Sequence, residues 1–264
     1  MRDSFLAVKG RPGNVVFDLD GVVFLGSEAI SGAGAALSAI AAHGAKVLFA
    51  TNNATKTTEY IAKRIESTTG YKPESGAIVT SATAVAASLG PEDDPVLMVG
   101  EPGLAETLRA AGRATTDDSS AARTVVVGLD RGITYKKLEA ASTAIRRGAR
   151  FIATNTDVSF PTPDGPAPGA GAIVAAVASA TGTDPEVAGK PHPAMVRHVT
   201  ALLGPGKTWM VGDRPDTDLA LARAAGWTAV LTLSGITQDV AEVPPDLRPD
   251  LVIDSVADLV ELFE

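Results

Sequence analysis

The sequence contains no cysteine, which excludes disulfides, thiolate nucleophiles and cysteine-ligated zinc. It also lacks a basic surplus: 23 Lys and Arg stand against 31 Asp and Glu, for a formal charge of −8. Nucleic acid and anionic membrane surfaces are thereby excluded as main partners, because both call for a basic footprint. A single small anion needs only a local group of donors and stays open. No uninterrupted apolar run approaches the roughly 18 residues of a membrane span. The mixed-charge start MRDSFLAVKGRPG has no apolar stretch of signal-peptide length. The expectation is a soluble, cytoplasmic, acidic globular protein.

Nucleotide-binding loops are missing too. No P-loop and no heptad repeat occurs. The glycine-rich stretches GAGAAL (32–37) and GAGAIV (169–174) carry Leu and Val where the third glycine of G-x-G-x-x-G belongs. Neither follows an apparent strand directly, so both read as entries to helices.

What is present is a chain of 264 residues, 45% hydrophobic, enough for one large domain or two of ordinary size. Short apolar runs recur at 15–18, 46–51, 77–80, 95–100, 124–129, 151–154, 208–213, 228–233 and 250–253. Ala-rich helical stretches lie between most of them, several ending in glycine, the usual C-terminal stop. Nearly all-apolar strands alternating with helices indicate a parallel sheet covered on both faces, so the fold class is α/β. The Pro/Gly-rich segment FPTPDGPAPGAG, 160–171, is too short to link independent domains and reads as an ordered, exposed loop.

Polar residues gather where these strands end. The first apolar run stops at Asp18 and Asp20 in VVFDLDG, and the second ends in TNN, Thr51 to Asn53. TWMVGD ends in Asp213, with Asp218 five residues on in GDRPDTD, and Lys190 stands in GKP. Ligands of open parallel sheets sit outside the carboxyl ends of the strands. Charge buried there is costly unless paired, and crowded carboxylates call for a cation. Oxygen ligands suit Mg2+, while a hydroxyl, backbone N–H groups and a lysine suit phosphate oxygens. Metal, phosphate cradle and a free carboxylate together describe phosphoryl transfer to an aspartate. Taken singly, each motif is an acidic turn, a strand-to-loop transition or an exposed turn. Their order and shared placement carry the reading.

With DLDG, TNN, GKP and GDRPDTD in this order, the chain resembles haloacid dehalogenase (HAD) superfamily phosphatases of the NagD/p-nitrophenylphosphatase-like branch. TSA (80–82), ATNTD (153–157), PGAGA (168–172) and LSGIT (233–237) extend the resemblance over nearly the whole chain. It implies a Rossmann-like core with a parallel sheet plus an inserted α/β cap domain. Thirty-three residues from Asp18 to Thr51 leave no room for an inserted domain, whereas 139 from Thr51 to Lys190 far exceed what a core needs. The expected division is a core of 1–82 and 185–264 and a cap of 83–184 over the carboxyl-end rim.

The resemblance also implies roles. Asp18 is the nucleophile that forms an aspartyl phosphate, and Asp20 is the general acid and then base. Asp18, the Asp20 carbonyl and Asp213 hold Mg2+, with Asp218 supporting the metal site. Thr51, Asn52 and Lys190 bind the phosphoryl group. The cap segment NTDVSF resembles the loop that confers specificity in this branch, which makes Asn155, Asp157 and Phe160 candidate substrate contacts. An Asx turn at Asn155 and Asp157 with Phe160 packing is the alternative. Asp216 and the turn residue His192 are expected to face solvent, and His43 and His198 to be surface or satisfied residues on helical stretches. The histidines lack zinc-site spacing.

The expected activity is Mg2+-dependent hydrolysis of small phosphomonoesters, with a possible homo-oligomer through the cap. Rival readings are a phosphotransferase or phosphomutase, which usually carries its cap after the first motif, and a catalytically silent phosphate-binding relative. A receiver domain is much shorter, with its phosphorylated aspartate on a later strand than its acidic pair.

Overall fold

The computed structural model describes residues 10–162 and 164–263, so residues 1–9 of the N-terminal stretch read above lie outside it. Two compact units partition the chain. The first comprises the described residues of 1–51, 58–79 and 190–264, the second those of 52–57 and 80–189. The second is therefore wider than the 83–184 expected and includes the residues that follow Thr51.

Among the described residues the first strands are β1 (Asn14–Phe17), a short hairpin of β2 (Phe24–Leu25) and β3 (Glu28–Ala29), then β4 (Lys46–Thr51) and β5 (Ile78–Thr80). Next come β6 (Val96–Val99), β7 (Thr124–Val127), β8 (Arg150–Ala153), β9 (Ser159–Thr162), β10 (Gly165–Pro168) and β11 (Glu186–Val187). The last are β12 (Thr208–Gly212), β13 (Thr228–Thr232) and β14 (Leu251–Ile253). The fold is α/β, as expected from the alternation of apolar runs and helices.

In the first unit a six-stranded parallel sheet runs β14-β13-β12-β1-β4-β5. Its strands are apolar throughout because both faces are covered. Val15, Phe17, Val47, Phe49, Trp209 and Val211 join one core cluster. Val16, Leu48 and Met210, which alternate with them, are buried as well. The sequence connects β1 to β4 on one side, while β12 pairs with it on the other. This reversal of strand order is where open α/β sheets build their sites. The register pairs Phe17 with both Val211 and Phe49, so the ends of β12, β1 and β4 lie side by side.

The second unit holds a four-stranded parallel sheet, β11-β8-β7-β6, with its own core of Leu97, Val99, Val125, Val127, Phe151 and Ala153 under two helices. Segment 160–171, expected as a loop, instead contains most of an antiparallel hairpin of β9 with β10. Prolines at 161, 166 and 168 remove backbone donors, which a two-stranded ribbon tolerates because each strand keeps an unpaired edge. The helix Ala170–Thr181 begins directly after β10. The stretch GAGAIV therefore does follow a strand, though a short antiparallel one.

Candidate active site

Asp18 is the first residue past β1, its N–H donating to Val211 O at 2.9 Å. From there the chain turns sharply, with the N–H groups of Val22, Val23 and Phe24 all directed to Leu19 O. Gly21 has φ +87°, and a Cβ there would collide with the Asp213 carboxylate. That is the physical reason for glycine in DLDG. A Cβ at Gly235 would likewise collide with the Asp213 carboxylate.

Lys190 organises the acids. Its Nζ donates to Asp18 Oδ1 at 2.6 Å and to Asp218 Oδ1 at 2.7 Å, and all three residues are buried. The other oxygen of Asp218 accepts the backbone N–H groups of Asp213 and Arg214 at 3.2 and 3.1 Å. Both Asp218 oxygens are thus engaged, and this side chain fixes Lys190 and the loop after β12. Asp213 Oδ2 accepts from the Ile236 N–H at 2.7 Å, whereas its buried Oδ1 has no hydrogen-bond partner among the described residues.

Carboxylate oxygens of Asp18, Asp213 and Asp218 lie within 4.8 Å of one another. Three acids face one ammonium, an excess of two negative charges in a buried place. Burial, and then Asp218 and Asp18, push Asp213 up to about 7. Burial, opposed by Lys190, raises Asp218 to about 6. Burial also raises Asp18 against the pull of Lys190. Desolvation works against the charge of Lys190, but Asp18 and Asp218 outweigh it and its pKa is raised. An oxygen-only donor set, surplus negative charge and one orphaned carboxylate oxygen fit a hard divalent cation such as Mg2+.

Asp20 stands on the same turn with its side chain reaching solvent. Desolvation by the surrounding protein raises its pKa, opposed by Arg64 and then Lys190. Thr51 closes β4 and is buried. Asp216 pairs with Arg214 at the surface. His192 is the half-buried residue before the helix Pro193–Thr200, where burial lowers its pKa. His198 lies within that helix, and His43 caps the helix Ala33–Ala42.

Within the second unit a different group forms around Asn52. Its Nδ2 donates to Asp157 Oδ2 at 3.3 Å. Its carbonyl accepts Ser81 Oγ at 2.6 Å and Asn155 Nδ2 at 2.8 Å. Asn155 Oδ1 in turn accepts the Asp157 N–H at 3.1 Å, an Asx turn. Asn53 makes another, accepting both the N–H and the hydroxyl of Thr55 at 2.8 Å. Asn155 is thus a buried scaffold, and Asp157 holds the Asn52 amide. Phe160, on β9, lies under Arg131, whose guanidinium carbon is 5.3 Å from the ring centroid. Arg131 pairs with Glu101 at 2.7 Å.

Sequence reasoning gave no role to Ser81, Arg131, Glu101, Arg64 or Ile236. TSA and LSGIT were marked only by resemblance. Ser81 proves to be a support for the TNN backbone, and Ser234 Oγ donates to Gly21 O at 2.7 Å while Ile236 holds Asp213.

A model for haloacid dehalogenase-like hydrolases matches residues 15–114, and one described as HAD-hydrolase-like matches 187–259. The chain is 39% identical over 227 residues to an acid sugar phosphatase of Staphylococcus haemolyticus, covering 84% of this chain and 85% of that protein. It is 36% identical over 251 residues to a dihydroxyacetone phosphatase of Corynebacterium glutamicum, covering 94% and 90%. The solved glycerol phosphate phosphatase of Mycobacterium tuberculosis in complex with magnesium superposes with TM-score 0.85 at 34% identity. That match covers 94% of this chain and 76% of the other.

Proposed function

The chain belongs to the haloacid dehalogenase-like hydrolases, and we propose that it hydrolyses small-molecule phosphomonoesters with Mg2+ through a phosphorylated Asp18. It is a phosphoric monoester hydrolase. The observation that carries the finer reading is the pair of Lys190 contacts to Asp18 and Asp218 beside the orphaned Asp213 oxygen. Asp18, the Asp20 carbonyl and Asp213 would hold the cation, which when bound offsets the acids' charge and that of the substrate phosphoryl group.

Asp18 attacks phosphorus in line, forming the acyl phosphate as the ester P–O bond breaks. Asp20 gives its proton to the leaving alkoxide. The Asp20 carboxylate then takes a proton from water as that water attacks phosphorus, releasing phosphate and restoring Asp18. Lys190 lowers the repulsion between Asp18 and an incoming anion, and Thr51 and Asn52 bind the phosphoryl oxygens. Residues 83–184 act as the cap, with Phe160 among the groups that read the leaving moiety.

The similarity to proteins named acid sugar phosphatase, dihydroxyacetone phosphatase and glycerol phosphate phosphatase favours esters of small polyhydroxylated compounds. Phosphate release from such a panel with Mg2+, comparing wild type with Asp18→Asn, tests the reading. Turnover in wild type and none in a folded Asp18→Asn is expected. Wild-type inactivity across the panel, or appreciable turnover by the variant, overturns it.

A further inference from the structure

Arg64 lies 38 residues from the turn it contacts. It belongs to the helix Thr58–Thr69, whose Ile61 and Ile65 are buried in the core of the first unit. Its guanidinium carbon stands 4.2 Å from the centroid of the Phe24 ring. An Nη of the same side chain donates to Gly26 O, between β2 and β3. One planar cation therefore grips the β2–β3 hairpin twice, by a ring face and by a turn carbonyl, a pairing that a flat guanidinium with its fixed fork of donors suits better than a compact ammonium.

The gripped residue is tied to the catalytic turn. Phe24 is fully buried, its N–H donates to Leu19 O at 2.9 Å, and its carbonyl accepts from Gly21 N–H at 2.7 Å. Asp20 and Phe24 form a β-bridge across that turn. Asp20 sits between Leu19 and Gly21, so the two residues bonded to Phe24 are its immediate neighbours. A shift of Phe24 must move the backbone that carries Asp20.

We propose that Arg64 is a positioning residue that sets the Asp20 carboxyl for proton transfer by clamping the Phe24–Ala29 hairpin. The inference rests on the functional reading above and adds to it a residue that touches neither phosphate nor metal. Proton transfer to the leaving group matters most when that group is poor, and correct placement governs its efficiency. The signature of Arg64 is therefore a dependence on leaving group rather than a uniform loss.

The test compares kcat/KM for glycerol phosphate, an alkyl ester, with that for p-nitrophenyl phosphate, whose leaving group needs little protonation. Arg64→Met keeps the aliphatic stem and removes the planar charge. It should lose about tenfold on the alkyl ester, a modest share of what general acid catalysis supplies, and less than about twofold on the aryl ester. Arg64→Lys should fall between Met and wild type. In the double variant with Asp20→Asn, Arg64→Met should add no further loss on the alkyl ester, because both changes act on one step. Equal losses on the two esters, or losses that multiply in the double variant, overturn the proposal. If Arg64→Met does not fold, the Lys variant carries the test, and an unchanged ester ratio there overturns it. Wild-type protein that hydrolyses neither ester overturns the functional reading and this inference with it. Active wild type with an unshifted ratio overturns the inference alone.

Discussion

Asn52 and Asp157, 105 residues apart, share a hydrogen bond of 3.3 Å from amide to carboxylate. The contact links the residue after Thr51 to the NTDVSF segment within the second unit. It changes what Asp157 should do, since a carboxylate holding the amide proposed above to bind the phosphoryl group would act on every substrate alike. Asp157→Ala should lower kcat/KM by about tenfold on chemically distinct esters, the value of one hydrogen bond to a charged group at the low end. Steady-state kinetics on three esters checks it, and a loss confined to one ester would show that Asp157 reads the leaving moiety instead.

Phe160 makes a different kind of contact. Its ring meets Arg131, and Arg131 meets Glu101. Phe160→Ala should reorder preference among natural phosphate esters, changing their kcat/KM ratios by about tenfold, since one apolar contact is worth about 1–3 kcal/mol. Hydrolysis of p-nitrophenyl phosphate should change much less. A common factor across all esters would make β9 a structural element only.

How much of this was legible in the sequence depends on which residues made the signal. Asp18, Thr51 and Asp213 were legible because buried parallel strands read as apolar runs, and a polar residue closing such a run stands out. Lys190 needed the motif order, since GKP alone is a turn. The hairpin of β9 and β10 was not legible: its prolines suppress both alternation and strand propensity. Asn155 leaves substrate contact and Asx turn both open in the sequence, because the residue type that makes the turn also binds ligands and local sequence does not separate the two. Arg64 gave no signal at all. Its contacts are long-range, and on the helix Thr58–Thr69 it reads as one more solvated base.

Asp18→Asn should abolish turnover, because the amide is nearly isosteric yet cannot attack phosphorus. It should also weaken the hold on Lys190, which would lose its charged partner at Asp18 while keeping the contact to Asp218 at 2.7 Å. We expect turnover below about 10⁻³ of wild type, the tenfold-per-1.4 kcal/mol scale translating that into at least about 4 kcal/mol of lost transition-state stabilisation. Single-turnover assay of a folded sample, verified by circular dichroism, provides the check.

The crowded acids make stability depend on pH in a direction opposite to that of ordinary ion-paired carboxylates. Asp213 is pushed up to about 7 and Asp218 to about 6, both first by burial, against a usual value of 3.8. Between pH 3.8 and about 7 the folded protein therefore holds protons that the unfolded chain has released. Stability contributed by these groups is full at the acid end, falls as pH rises through that window, and is flat above it. Melting temperature in EDTA should decline across the window. Mg2+ binds the ionised acids, so its stabilising shift should be largest at pH 7 and above and fade towards pH 4. Asp213→Asn should flatten the decline in EDTA and remove most of the Mg2+ shift, because it deletes both a buried charge and the orphaned oxygen. A metal-free melting temperature that rises through the same window would show that the three acids are not charged neighbours in solution, and a Mg2+ shift retained by Asp213→Asn would place the cation elsewhere.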